Sequence, residues 1–138
     1  MTEVGNNRVQ LFSSDGTYLR SFGTKGDKHG EFNIPLGIAF DITTENILVL
    51  DNSNHCVQLF SEQGEYLKQF GGKGNRGHQL MNPHGLSVNC DGNIIVANSG
   101  NKLVKMFSQR GNLLRYRKLA GRALLPFLST VSNMTNIS

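Results

Sequence analysis

The sequence predicts an all-β chain assembled from repeated four-stranded antiparallel units. Three observations carry that expectation. A segment of 20 residues recurs in register. Short runs rich in Val, Ile, Leu and Phe alternate with clusters of Gly, Asn, Asp and Ser, the punctuation of strands and turns. Outside the C-terminal tail, no segment shows a helical period.

The recurrence is direct. NRVQLFSSDGTYLRSFGTKG (7–26) aligns with HCVQLFSEQGEYLKQFGGKG (55–74) at an offset of 48. Val9 then matches Val57, Phe12 matches Phe60, Tyr18 matches Tyr66 and Phe22 matches Phe70. The register continues through Pro35 with Pro83 and Gly37 with Gly85. A third copy follows at an offset of 47, where NHCVQLFSEQGEYL (54–67) matches NKLVKMFSQRGNLL (101–114). The lost residue falls in a turn, DITTEN shortening to NCDGN.

Each copy reads as four strands. Strand a is PLGIAFD or PHGLSVN, b is NILVLD or NIIVAN, c is CVQLFS or LVKMFS, and d is EYLKQFG. In VQLF and VKMF the apolar residues alternate with Gln or Lys, as on a half-buried strand. SSDGT and SEQGE carry the glycine that a tight c–d turn needs. Four-stranded units of this period are β-propeller blades. The expected order is a half blade (3–26), a full blade (35–74), a near-full blade (83–114) with an incomplete strand d, and a non-repeat tail (115–138). Two and a half blades make an incomplete propeller, since closed rings use about four to eight. Open edges bearing Val57, Leu59, Ile94 and Val96 are expected to promote self-association.

The stretches P-x-G-I-A, N-I-L-V-x-D-x-x-N-x-x-V-Q-L-F and G-x-Y-L-x-x-F-G-x-x-G resemble the NHL repeat. The resemblance spans 3–114 and is nearest to the propeller of the tripartite-motif (TRIM-NHL) ubiquitin ligases. It implies a scaffold that binds RNA or protein and sits in a larger chain, of which this sequence is a fragment or short product. In that family, protein ubiquitination belongs to a zinc-binding RING, and two cysteines cannot supply a RING. The alternative reading is therefore a piece of an E3 ubiquitin ligase whose RING lies outside these residues. The D-x-x-N-x-R row of the family is only partly kept. It reads Glu3, Asn6, Arg8, then Asp51, Asn54, Cys56, then Asn98, Asn101, Leu103.

The totals set weaker bounds. Net charge is +4 with a sequence pI near 9.3, which permits an anionic partner. Cys56 and Cys90 are too few for a disulfide framework, and no stretch reads as a secretory signal or a membrane span. A cytoplasmic location, or a nuclear one, is expected, with no membrane partner. Gly72, Gly74 and Gly77 form a G-x-G-x-x-G, the spacing of dinucleotide sites. The sister copy GTKGDKHG breaks it, and HQLMNPHG opens no helix behind it, so no small-molecule cofactor is expected. In the tail, Asn133 and Asn136 head glycosylation sequons and LLPFL is apolar enough to cover a blade edge.

Alternating strand direction places loops a–b and c–d on one face and loops b–c and d–a on the other. The first set carries Asp15, Asp41, Glu45, Glu62, Glu65 and Asp91 against Arg110, a net −5. The second carries Arg8, Lys25, Lys28, Lys73, Arg76 and Lys102 against Glu3, Asp27, Glu31 and Asp51, a net +2. These six cations are the candidate RNA- or partner-binding residues. Phe32 is the main aromatic among those loops, which implies modest RNA affinity with little base stacking. His29, His55, His78 and His84 lack zinc-ligand spacing, so no metal is expected. Cys56 and His55 are neighbours on one strand and point to opposite faces, which excludes a catalytic dyad between them. The expectation is a non-enzymatic scaffold.

Overall fold

The computed structural model describes residues 2–3 and 5–118. Its strands form three antiparallel units joined in sequence. Unit one holds β1 (Thr2–Glu3), β2 (Arg8–Phe12) and β3 (Tyr18–Phe22). A connection with a short parallel pair, β4 (Thr24–Lys25) and β5 (Glu31–Phe32), leads onward. Unit two is β6 (Pro35–Asp41), β7 (Asn46–Asp51), β8 (Cys56–Phe60) and β9 (Tyr66–Gly71), paired in that order. Unit three is β10 (Gly85–Val88), β11 (Ile94–Asn98), β12 (Leu103–Phe107) and β13 (Leu113–Lys118), with a 3-10 turn at Ser99–Asn101.

Two expected strand limits need correcting. The first unit is more than a c–d hairpin, because Thr2 and Glu3 pair with Val9 and Arg8 as the end of a strand b. The last strand d is not incomplete at 114. β13 runs to Lys118, with Val104 opposite Arg117 and Leu103 opposite Lys118. The ladder needs only backbone groups, so the missing aromatic at 117 does not end it. Arg115, Arg117 and Lys118 suit an outermost strand, where charge discourages edge-to-edge pairing. The rest of the expected tail (119–138), with its sequons and LLPFL, lies outside the described residues.

Repeat symmetry reaches fine detail. Each c–d turn closes with the same two backbone hydrogen bonds, Ser13, Ser61 and Ser108 each accepting from a glycine N–H three residues on. Those glycines, Gly16, Gly64 and Gly111, have φ of 89°, 88° and 87°, which is why the sequence keeps glycine there. A register shift falls at Leu11/Phe12, Leu59/Phe60 and Met106/Phe107. The extra residue of each bulge is a leucine, and Leu19, Leu67 and Leu114 all stand about half exposed, at 51%, 47% and 50%.

The core lies in two seams between units. Val9, Leu11 and Phe22 of unit one meet Phe32, Ile38, Ile47, Val49 and Phe60. On the other side of the same sheet, Leu48, Leu50, Val57 and Leu59 meet Leu80, Ile94, Val96 and Phe107. The middle unit is thus covered on both faces, so its strand b is apolar at four successive positions, Ile47 to Leu50. Val57, Leu59, Ile94 and Val96 are therefore not open-edge residues. They fill the second seam, because consecutive units pack face to face. Every unit leaves some apolar side chains exposed, and on unit one these include a ring pair, Phe12 at 43% and Tyr18 at 54%.

Candidate ligand-binding loop face

Two quasi-equivalent loops connect the units, and the buried polar residues beneath them set their shape. In unit two, Asp51 Oδ1 accepts the Asn33 N–H at 2.9 Å, and Oδ2 accepts from Asn54 Nδ2 at 2.7 Å and Gln58 Nε2 at 3.3 Å. Asn54 also donates to the Gly26 carbonyl and Gln58 to the Glu31 carbonyl. Side chains of strand c and of loop b–c thereby tie down the incoming loop 26–31. All three donors favour the Asp51 carboxylate, but full burial outweighs them and pushes its pKa up to about 6.

Unit three repeats the frame with different chemistry. Asn98 Oδ1 accepts the Met81 N–H, and Asn101 Nδ2 donates to the Gly74 carbonyl at 3.1 Å. Lys105 stands where Gln58 stood. It is buried, and its ammonium donates to the carbonyls of Arg76, Gly77 and Gln79 at 3.1, 3.0 and 2.8 Å. Three N–H donors meet three acceptors, which is how the fold holds a cation out of water. Desolvation lowers the Lys105 pKa. Asn98 Nδ2 is buried with no partner, since it replaces the carboxylate oxygen that received two bonds in unit two.

The six sequence-derived cations fall at four kinds of position. Lys25 and Lys73 sit at the bases of the d–a loops, opposite Phe32 and Leu80. Lys102 is exposed in loop b–c with φ 55°. It shares that left-handed position with His55 and Asn7 of the earlier units. Arg8 is half-buried at the start of β2. Lys28 and Arg76 are exposed at the loop tips. The tips climb beside strand c and leave the face below. The Gly30 N–H reaches Gln58 in the middle of β8, and His29 stacks on Tyr66 at 4.6 Å and 12°. The face of loops b–c and d–a therefore continues up the outer wall between units, which turn chemistry alone does not indicate.

The opposite set of loops is acidic at its surface through Asp15, Glu45, Glu62, Glu65 and Asp91, all exposed, while Asp41 is buried. Ser13 and Thr17 bond the Asp15 carboxylate and hold its pKa down near 2. That side also bears an apolar groove of about 630 Å³ between units one and two, lined by Leu11, Phe12, Leu19, Ile38 and Phe40. Sequence reasoning did not find this groove. Its only sequence signal is the recurring leucine of the bulge.

Cys56 and His55 are tied into the fold. Burial, reinforced by Asp51, pushes the Cys56 thiol up to about 12, which keeps it protonated and a poor nucleophile. Cys90 is exposed. His55 Nδ1 accepts the Asn82 N–H at 3.0 Å, and desolvation with nearby Lys73 lowers its pKa. Among the described residues, no group of three or more His, Cys, Asp or Glu could hold a metal ion. No helix among them is long and apolar enough to cross a membrane.

Comparison with known proteins supports the repeat reading. The family model described as the NHL repeat matches residues 32–60 and 80–107. Each match begins at the loop residue that enters the seam and ends at the phenylalanine closing strand c. Similar solved structures include virginiamycin B lyase from Staphylococcus aureus, at 12% identity and a TM-score of 0.63 over 88% of this chain. A streptogramin B lyase matches at 16% identity and a TM-score of 0.62 over 84% of this chain. A putative exported protein from Bacteroides fragilis matches at 15% identity and 0.62 over 85%. This chain spans 37%, 35% and 33% of those proteins respectively. At such identities the likeness is one of fold. No curated protein sequence matches the chain.

Proposed function

We propose that these NHL-type blades form a non-catalytic binding module that docks single-stranded RNA on the face of loops b–c and d–a. The observation that supports this most is the division of exposed charge. Exposed Lys25, Lys28, Lys73, Arg76 and Lys102, against Asp27, stand on one side and its outer wall, and exposed Asp15, Glu45, Glu62, Glu65 and Asp91, against Arg110, on the other. A polyanion is drawn to the first and repelled by the second. Few aromatics adjoin these cations, so phosphate contacts would dominate and sequence preference would be weak. The lyase neighbours share the fold alone and lend no reaction to this chain. A ubiquitin-ligase activity would require a RING elsewhere, and nothing in the described residues favours it.

The test is anisotropy of a labelled oligouridine titrated with the chain at several salt concentrations. Binding should weaken linearly in log–log form as salt rises. Lys73→Glu with Arg76→Glu should reduce affinity and flatten that slope, by about one unit for each phosphate no longer neutralised. Glu62→Lys with Glu65→Lys should leave the slope unchanged. No binding of oligouridine at low salt would instead favour a protein partner, salt-independent binding would refute phosphate contacts as its basis, and equal losses from both pairs would refute the face assignment.

A further inference from the structure

The two connecting loops share a fold and the Asn54/Asn101 tie, and differ in charge at four other positions. In the first, Lys25 and Lys28 are opposed by Asp27, Glu31 and the buried Asp51, a net −1. At the matching places in the second, Asp27 becomes Asn75, Glu31 becomes Gln79, Asp51 becomes Asn98, and neutral Gln58 becomes Lys105. With Lys73 and Arg76 kept as cations, the second loop carries three positive charges and no acid, a net +3. The turn itself is preserved. Gln79 Oε1 accepts the Arg76 N–H at 3.2 Å, as Glu31 Oε1 accepts the Lys28 N–H at 3.1 Å.

The backbone differs at one peptide. Gln58 presents a carbonyl oxygen to the first loop and draws in the Gly30 N–H, leaving the His29 carbonyl outward. Lys105 presents only donors and draws in the Gly77 carbonyl, which belongs to the matching peptide. A planar trans peptide directs its C=O and N–H oppositely, so the His78 N–H is turned away from Lys105. The Gly77 N–H is turned away likewise, because the Arg76 carbonyl also points to Lys105. Gly77 and His78 are exposed. Two consecutive outward N–H groups beside two exposed cations, over a buried ammonium, form an anion-binding arrangement.

We propose that loop Lys73–Gln79 is a binding site for a phosphate-class anion, and that its repeat partner Lys25–Glu31 is not. The site deepens the RNA reading by naming where a backbone phosphate would seat, and it would also take free oligophosphate. It differs from a dinucleotide cradle. The loop leads into strand β10 and no helix dipole contributes. The acids of the first loop would repel the same ligand, and its flipped peptide offers a carbonyl where the second offers an N–H.

The full chain, labelled with ¹⁵N, would be titrated separately with inorganic tripolyphosphate and with oligouridine while backbone amide shifts are followed. The Gly77 and His78 amides should move with saturation, and those of His29 and Gly30 should not. Arg76→Gln, at an exposed position, should weaken tripolyphosphate about fivefold to tenfold. Asn75→Asp with Gln79→Glu, which restores the first loop's acids, should abolish saturation while the thermal melt is retained. Tripolyphosphate binding without RNA binding leaves the site standing and ends the RNA reading. RNA binding that spares these two amides ends the site and leaves the RNA reading to another surface. Equal shifts in both loops, or no shift with either ligand, overturn the inference.

Discussion

Phe12 and Tyr18 stand edge to face with ring centroids 5.9 Å apart, the same pairing that Phe60 and Tyr66 make at 6.0 Å. The two pairs hold matching places in consecutive units, but their surroundings differ. Phe60 packs on Phe22 and Phe32 across the first seam and is 1% exposed. Phe12 faces outward from unit one and is 43% exposed. Unit one thus presents the surface that, one unit later, receives a neighbouring blade.

The expected consequence is association through that surface. Phe12→Lys with Tyr18→Lys should lower the apparent mass at micromolar concentration in light scattering, with little change in melting temperature. Phe60→Ala, in the sealed pair, should instead cost about 3–5 kcal/mol. A wild-type chain that is monomeric at every concentration would show that this face is tolerated in water.

Most of the fold is legible in the sequence because the repeat imposes it. The strand limits of β6 and β7 follow from apolar runs between turn residues, and the glycine of each c–d turn fixes the hairpins. Two things are not legible. Strand β13 is hidden because its backbone pairing is indifferent to Arg115 and Arg117, whereas the repeat pattern asks for an aromatic at 117. The loop site is hidden because its shape depends on residues distant in sequence. Lys105 reads as the polar member of an alternating strand, and only the fold brings it under Arg76 and Gln79. The cations themselves are visible, and their division into base and tip is not.

Asp51 should give the fold a distinctive pH dependence. Its folded pKa of about 6 lies above the ordinary value of 3.8, so the native state holds the proton more readily than the unfolded chain. That contribution is fully present below pH 4, falls as pH rises through the window to about 6, and is gone above it. The size is on the order of 2–3 kcal/mol. Urea midpoints for the wild type and Asp51→Asn, compared at pH 4.5 and 7.5, isolate the effect from other carboxylates. The wild type should lose more stability between the two pH values than the variant does. The opposite difference would mean that the three donors, not burial, dominate the carboxyl.

Ile34 occupies a left-handed backbone conformation, φ 61°, that β-branched residues avoid. Asn82, at the same place in the next unit, adopts φ 46°. Asparagine tolerates that region at lower cost, so Ile34→Asn should relieve strain of about 1 kcal/mol, offset in part by the apolar packing of the isoleucine. A rise in the urea midpoint at constant slope is the expected result. A clear fall would show that Ile34 contributes more as a half-buried apolar side chain than it costs in conformation.

Asn98 is the place where the two networks mismatch. Its Nδ2 is buried without a partner. The matching Asp51 oxygen, by contrast, accepts from Asn54 and Gln58. Asn101 and Lys105 stand where those donors stood, so a donor at this point meets donors. Asn98→Asp would restore the acceptor and place a carboxylate near a buried ammonium that now has only carbonyl partners. An unmet buried donor costs about 1–3 kcal/mol, and burying a new charge takes back part of that gain. The net expectation is stabilisation of about 1 kcal/mol by urea unfolding at pH 7. The same change lowers the net charge of loop Lys73–Gln79 and its supports from +3 to +2, so tripolyphosphate affinity should fall while stability rises. Opposite movement of the two quantities is the signature of a cation network shared by fold and ligand. A fall in both together would mean that the substitution simply disrupts the loop, and a stability gain with unchanged affinity would separate Lys105 from the site.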